Sequence, residues 1–150
     1  MNTFTATDLS PHPEGGRFKE VHRSKLSVTN QAGQQKSALT HIYFSLNQGE
    51  VSRFHRVAQE EVWNLYKGKV RIWLLDPETL TITSTELSEA NNCYCTVIPP
   101  GFWQATEPLS PEALVGCSVA PGFDFSDFEL ITPEHPLCDP LRKAKLSHLL

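Results

Sequence analysis

Two short stretches of the sequence contain residue types that could do chemistry. The first contains His55 and Glu61, and the second is Pro99-Pro100-Gly101-Phe102-Trp103-Gln104. A histidine close to a glutamate is oriented and tuned by it, and it can act as a general base near neutral pH. Alternatively, His55, Glu61 and Gln104 could offer an imidazole, a carboxylate and an amide oxygen to a metal ion.

The metal interpretation is the weaker of the two. Catalytic zinc and non-haem iron sites usually have at least three strong ligands, and an amide is a weak one. We therefore expect no cofactor. A weakly held divalent metal ion at His55, Glu61 and Gln104 is the alternative.

The alternation of side chains along a strand places Arg53 and His55 on one face, and Glu61 and Trp63 on a common face. Charged groups inside an apolar core are costly unless they are paired or face water. We therefore predict a solvent-connected pocket, while a purely structural ion pair between Arg53 and Glu61 is the alternative. The ligand-binding residues predicted for this pocket are Arg53, His55, Glu61, Trp63, Trp103 and Gln104, with Tyr43, Trp73 and Phe102 as further candidates for aromatic walls.

The elements that must position these residues are short and rich in β-branched and aromatic residues. Turn sequences such as Asn47-Gln48-Gly49 and Pro121-Gly122 separate them. This pattern predicts nine strands, which indicates a sandwich, jelly roll or barrel. The predicted strands cover 17–23, 38–46, 51–57, 62–66, 70–75, 80–87, 94–98, 114–119 and 125–130. Short helical turns are predicted near 5–9 and after Asp139, in a tail that either frays or packs on a partner subunit.

Composition limits the class of protein. The 150 residues predict a single domain, 1–150, with the barrel motifs at about 10–131 and a C-terminal tail at 132–150. A formal charge of −4 and scattered basic residues argue against a nucleic acid polymer as partner. No apolar run approaches the roughly 20 residues that span a bilayer, and no signal peptide is recognisable. We therefore predict a cytoplasmic protein with no membrane partner, whose four cysteines are reduced thiols.

Two other stretches leave alternatives open. The stretch 10–16, Ser-Pro-His-Pro-Glu-Gly-Gly, is either a plain turn or a loop that contacts a ligand. The aromatic and acidic run that contains Phe123, Asp124, Phe125 and Asp127 could close the mouth of a barrel or form a subunit contact. Core packing is the competing interpretation for its phenylalanines.

The motifs taken together resemble those of the cupin superfamily. Gly49, His55, Glu61 and Gly68 are in register with the first cupin motif, whereas Val57 and Gln104 stand where two further histidines are usual. With the loop at 11–16, the Glu60-Glu61-Val62-Trp63 stretch and the run at 115–125, the sequence resembles a small RmlC-like cupin family of unknown function, the fifth cupin family. The resemblance implies an all-β cupin double-stranded β-helix, a jelly-roll-like barrel whose interior contains the faces of His55 and Glu61.

The resemblance also implies that the protein is a dimer, as is usual in the family. It further implies a structure close to that of the sugar epimerases and a pocket for a small ring-bearing ligand. We predict a small-molecule-binding protein with a metal-free pocket. The cation Arg53, the aromatic surfaces and the amide of Gln104 suit a nucleobase, a sugar nucleotide or a small anionic metabolite. The alternative is a metal-independent epimerase or isomerase, with His55 as base and Tyr43 or Tyr66 as acid. A metal-dependent cupin enzyme is third. Segments 17–23 and 38–46 are the candidates for the homodimer contact.

Overall fold

The computed structural model describes residues 3–150, and in this part of the chain β-strands dominate. Most strands alternate buried and half-exposed residues, as expected for strands with one face on a core. One short helix, α1 (Cys138–Lys143), and three single-turn 3-10 helices complete the structure. The strands are β1 Ser10–Pro11, β2 Arg17–Arg23, β3 Ser27–Thr29, β4 Gln35–Ser37, β5 Thr40–Asn47, β6 Ser52–Val57, β7 Glu60–Lys67, β8 Lys69–Leu75, β9 Ile82–Ser88, β10 Cys95–Ile98, β11 Trp103–Pro108, β12 Glu112–Ala120 and β13 Phe128–Leu130.

The strands form two antiparallel sheets and a separate hairpin. One sheet has the order β1-β2-β5-β12-β7-β10, and the other has the order β13-β6-β11-β8-β9. The hairpin consists of β3 and β4. Buried residues of both sheets form one apolar cluster, which includes Phe44 and Trp63 from the first sheet and Ile72 from the second. The sheets therefore pack face to face, and the predicted all-β class is confirmed.

A second apolar cluster covers the outer face of the smaller sheet. Phe54 and Trp103 on that face are fully buried, together with Leu141 of α1 and Leu149 near the C-terminus. The C-terminal tail therefore packs on its own sheet. The prediction that it frays is wrong, and its packing on a partner subunit stays a prediction.

The strand predictions are correct in position for most of the chain but miss one central strand. Strand β11 lies between β6 and β8, and the sequence interpretation treated its first residues only as part of a loop motif. The strand has a low apolar content, because Gln104, Thr106, Glu107 and Pro108 belong to it. The run 125–130 forms a 3-10 turn before β13, and residues 5–9 form no helix.

The two segments proposed for a dimer contact differ in their free edges. Strand β5 is hydrogen-bonded on both sides, by β2 and by β12. Strand β2 pairs with β1 only at Arg17 and Phe18, so within the described residues the rest of its outer edge is unpaired. The edge argument therefore applies to β2 and not to β5, and the homodimer itself stays a prediction. None of the described helices is long and apolar enough to cross a bilayer.

The loop between β1 and β2 folds inward and approaches β6 closely. His12 N–H donates to the Gly16 carbonyl and Gly15 N–H donates to the His12 carbonyl, each at 3.0 Å, so the loop is closed on itself. The N–H of Arg53 donates to the Glu14 carbonyl at 2.8 Å and ties the loop to β6. Gly15 has a φ of +111°, and a Cβ atom there would collide with the carbonyl oxygen of Val51. Only glycine fits this position.

We expect Gly15→Ala to lower the free energy of unfolding by about 2–4 kcal/mol, because it combines backbone strain with a backbone collision. Gly33→Ala is the matched control, since Gly33 has a φ of +78° but open space around it. The control should cost only about 1–2 kcal/mol. Urea unfolding of both variants measures the difference. Equal losses in the two variants would contradict the close approach of the loop to β6.

Candidate functional site

A cavity of about 300 Å³ lies between the two sheets and opens at one end. Its buried ionisable side chains are Glu14, His55, Glu61 and Cys117, and the half-buried His12 lies beside them. Exposed side chains at the open end include Glu20, Arg23, Asp124 and Phe125. The remaining lining residues, mostly apolar, are Phe18, Thr40, Ile42, Phe44, Val57, Val119, Phe123 and Phe128.

His55 has a fixed tautomer. Its Nδ1 atom lies 2.7 Å from the carbonyl oxygen of Arg53, which can only accept a hydrogen bond, so Nδ1 carries the proton. In the neutral ring Nε2 is then a bare acceptor, and it lies 3.2 Å from Oε2 of Glu14. The ring is 2% exposed and stacks on Phe128 at a centroid distance of 5.5 Å. The geometry thus aims one basic nitrogen at the carboxyl group of Glu14.

Glu14 is the most closely surrounded acid of the cavity. It is 6% exposed, and its Oε1 accepts a hydrogen bond from the hydroxyl of Ser52 at 2.8 Å. Its Oε2 lies 3.2 Å from His55 Nε2 and 3.3 Å from His12 Nδ1. His12 Nδ1 also accepts from the backbone N–H of Glu14 at 3.3 Å. Oε2 therefore faces two imidazole nitrogens that act as acceptors.

Glu61 is held from behind by a chain of buried hydrogen bonds. Gln104 Nε2 donates to Glu61 Oε2 at 2.6 Å, and Trp63 Nε1 donates to Gln104 Oε1 at 3.1 Å. Trp63 and Gln104 are fully buried and do not line the cavity. They orient Glu61, which is 7% exposed and does line it.

Burial shifts the pKa values of two acids, Glu14 and Glu61, and two histidines, His12 and His55, so that their neutral forms are favoured. It raises the pKa of Glu14 to about 7, against the opposing effects of His12, the Ser52 hydroxyl and Arg53. Burial likewise raises the pKa of Glu61 and lowers the pKa values of His12 and His55. The cavity therefore favours uncharged acids and bases near neutral pH.

The residues at the cupin-type metal positions do not fit a metal ion. Val57 has no ligand atom, the Gln104 oxygen accepts from Trp63, and the Gln104 nitrogen faces the carboxylate. His55 directs its free nitrogen at Oε2 of Glu14, 3.2 Å away. In residues 3–150 no group of three or more His, Cys, Asp or Glu side chains has an arrangement that could hold a metal. We derive no chemistry through a metal at these residues.

Besides Trp63 and Gln104, three further residues predicted for the pocket lie outside it. Arg53 donates from Nη2 to the carbonyl of Pro13 at 2.7 Å, so it anchors the β1–β2 loop from outside the cavity. Trp103 is buried in the second apolar cluster. Tyr43 does not line the cavity either, and its hydroxyl donates to the carbonyl of Phe4. The strand alternation correctly placed the His55 side chain in the cavity. It did not place Arg53 correctly, and the pairing of β6 with β11 has a register shift at this point.

Among residues 3–150, the aromatic wall consists of phenylalanines and contains no tryptophan or tyrosine. Trp73 and Phe102 lie outside the cavity as well. The run 123–128 borders the mouth of the cavity, which agrees with the interpretation that this run closes the mouth of the barrel. The phenylalanines that line the cavity are Phe18, Phe44, Phe123, Phe125 and Phe128.

His12 and Glu14 are the functional candidates that the sequence analysis did not include among its site residues. Their only sequence signal is the rigid Pro- and Gly-rich loop that contains them. The structure places both side chains in the cavity, so this loop is more than a plain turn.

Comparisons with known proteins place this geometry in a family. A family model described as "Cupin superfamily (DUF985)" matches residues 2–131. A solved protein from Shewanella oneidensis is 31% identical, with a TM-score of 0.81, over 94% of this chain and 90% of that chain. A hypothetical protein from Leishmania major is 26% identical, with a TM-score of 0.80 and the same coverage. No match was found among curated proteins.

A more distant structure shows the fold alone. The dTDP sugar isomerase from Desulfovibrio desulfuricans is 13% identical, with a TM-score of 0.60, over 82% of this chain and 85% of that chain. The likenesses confirm the predicted cupin fold.

The raised pKa of Glu14 predicts a specific dependence of stability on pH. Between the usual value of 4.5 and about 7 the folded state holds a proton that the unfolded state has lost, so stability falls as pH rises through this window. Glu14→Gln removes this effect. From pH 5 to pH 8 the free energy of unfolding of the variant should gain about 2–3 kcal/mol relative to wild type.

Urea unfolding at the two pH values measures this gain, and Glu134→Gln, at an exposed acid, is the control. The lowered histidine pKa values act in the opposite direction, because their contribution to stability is present above pH 6.5 and is lost as pH falls. The histidines remain in both proteins, and the loss of Glu14, which raises the pKa of His12, acts in the same direction as the predicted gain. A Glu14→Gln variant whose pH profile parallels wild type would refute a buried, proton-holding Glu14.

Proposed function

The chain belongs to the DUF985 family of the cupin superfamily, and we propose that it binds a small ring-bearing molecule in the cavity between its sheets. The observation that supports this most is the division of the cavity into a polar end and an aromatic wall. Ligand pockets combine apolar walls with a few convergent polar groups. A volume of about 300 Å³ is at the lower end of such pockets, so we propose a compact ligand of one ring or one fused ring system.

The charges around the cavity favour a neutral or cationic ligand. Arg23 is the only cation among the described lining residues, and both of its guanidinium bonds to Glu20 are short, at 2.8 and 3.0 Å. Asp124 adds a negative charge at the mouth, and phenylalanine faces attract positive charge. Because Arg53 lies outside the cavity, the sequence-based reason for an anionic metabolite is lost. A nucleobase-like ring suits this site better than a sugar nucleotide, whose phosphates would find no free cation there.

Acid–base isomerisation is the second candidate function. The contact between His55 Nε2 and Glu14 Oε2 favours it, because a base and an acid within hydrogen-bond reach are the minimum for proton transfer. Tyr43 cannot act as the acid, because its side chain lies outside the cavity and its hydroxyl donates to the carbonyl of Phe4.

We also propose that the protein works as a cytoplasmic homodimer. Its cysteines Cys93, Cys95, Cys117 and Cys138 are free thiols, which suits a reducing compartment. The unpaired edge of β2 is the surface we propose for the second copy. Light scattering after size exclusion should give twice the chain mass of 16.8 kDa. A monomer mass would contradict this assembly.

Calorimetric titration with three ring compounds tests the proposed binding. Adenine, which is neutral, and benzamidine, which is cationic, should bind with dissociation constants below about 1 mM, and the anion benzoate about tenfold more weakly. Val119→Trp should abolish binding, because Val119 is buried and lines the cavity. Tyr43→Phe is the control and should bind as wild type does.

Two outcomes would contradict the proposal. Undiminished binding by Val119→Trp would place the ligand outside the cavity. A preference for benzoate would refute the charge argument.

A further inference from the structure

We infer that Glu14 and His55 hold one proton between them and use it to interconvert the keto and enol forms of a ring-bearing carbonyl compound. The inference rests on the proposed function, because it needs a ligand in the cavity. It adds a reaction and a substrate class, and it gives Glu14 the part of the acid.

The hydrogen bonds themselves require the shared proton. Nδ1 of His55 donates to the carbonyl of Arg53, so Nε2 of the neutral ring has a lone pair and no hydrogen. Nδ1 of His12 accepts from the N–H of Glu14, so it has no proton to donate to Oε2. An ionised Glu14 would set two bare acceptors against a carboxylate oxygen. One proton on Oε2 turns the contact with His55 Nε2, at 3.2 Å, into a hydrogen bond and removes the negative charge that faces His12 Nδ1 at 3.3 Å.

The groups around the pair also disfavour a separated charge. Glu14 faces His12 on its own loop and the hydroxyl of Ser52 on β6. The guanidinium of Arg53, also on β6, donates to the backbone carbonyl of Glu14 from outside the cavity. Glu61 on β7 and Cys117 on β12 face the same cavity. Burial keeps the acid neutral and the imidazole uncharged, so both are in the form that starts a proton transfer.

The proposed step balances without any other reactant. His55 Nε2 takes a proton from the carbon next to the carbonyl, and the electron pair of that C–H bond forms the carbon–carbon double bond. The carbonyl π pair moves to oxygen, which takes the proton of Glu14 Oε2. The product is the enol, and the pair is left as imidazolium and carboxylate. The proton on Nε2 then crosses to Oε2 over the 3.2 Å contact and restores the starting state.

The side-by-side arrangement separates this reaction from epimerisation. Inverting a carbon centre needs an acid and a base on opposite faces of the substrate, and Tyr43 and Tyr66, the two candidates for the acid, lie outside the cavity. Glu14 and His55 are in contact, so they approach a substrate from the same side. They are therefore suited to a transfer from carbon to oxygen on one face.

Glu14→Gln separates binding from proton transfer. The amide oxygen can still accept from Ser52, and the amide NH₂ can still donate to His55 Nε2, so the variant copies the protonated acid without its mobile proton. The probe is 2-indanone, a neutral fused-ring ketone with acidic α-protons. In D₂O, proton NMR follows both its binding and the exchange of these protons for deuterium.

Wild type should bind 2-indanone and accelerate its exchange at least about 100-fold over buffer. Glu14→Gln should bind it within about threefold of wild type and lose about 100-fold or more in exchange. Tyr43→Phe, outside the cavity, should match wild type in both. Binding without accelerated exchange, or full exchange by Glu14→Gln, overturns the inference and leaves the proposed function intact. Failure of 2-indanone to bind counts against the proposed function itself.

A second measurement is independent of any ligand. Nitrogen-15 NMR of His55 at pH 6 should show a protonated Nδ1 and a bare Nε2, in wild type and in Glu14→Gln alike. A proton resident on Nε2 overturns the shared-proton arrangement, whatever the probe does.

Discussion

The structure depends on burying two carboxyl groups and an imidazole between apolar sheets. Each such group would be costly if it were charged and alone. Glu14, His55 and Glu61 are each hydrogen-bonded to a group on another element or on the backbone, and burial shifts all three toward their neutral forms. This requirement explains why the β1–β2 loop turns inward: without Glu14, Nε2 of His55 would have no partner among the described contacts of the cavity.

Val57 and Gln104, at the two positions where a cupin usually has metal-binding histidines, also help to bury these polar groups. In place of a histidine, Gln104 joins two buried groups by accepting from the Trp63 ring N–H and donating to Glu61. Val57 adds apolar wall where a second imidazole would stand. The amide of Gln104 therefore holds the carboxyl group of Glu61 in the place of a metal ion. The motif thus keeps its backbone geometry while its side chains provide hydrogen bonds and apolar surface.

The second apolar cluster gives the site a rigid base. Strand β11 has Gln104 directed toward the cavity side and Trp103 buried under the C-terminal tail. Leu141 and Leu149 close over Trp103, and Arg56 lies over its ring at 4.9 Å. Because both faces of β11 are packed, the position of Gln104, and through it that of Glu61, is fixed from two sides.

The sequence by itself determined the all-β class, because strand alternation and turn spacing involve residues that are close along the chain. The resemblance of its motifs to the cupin motifs implied the barrel and the interior places of His55 and Glu61. The tertiary structure alone decided which residues meet His55. Glu14 lies 38 residues before Ser52, and their contact depends on a loop closed by glycines at positive φ. Periodicity likewise could not tell that Arg53 points at loop carbonyls, that Trp103 lies under the tail, or that Tyr43 faces outward, because each strand has two faces and packing decides which is enclosed.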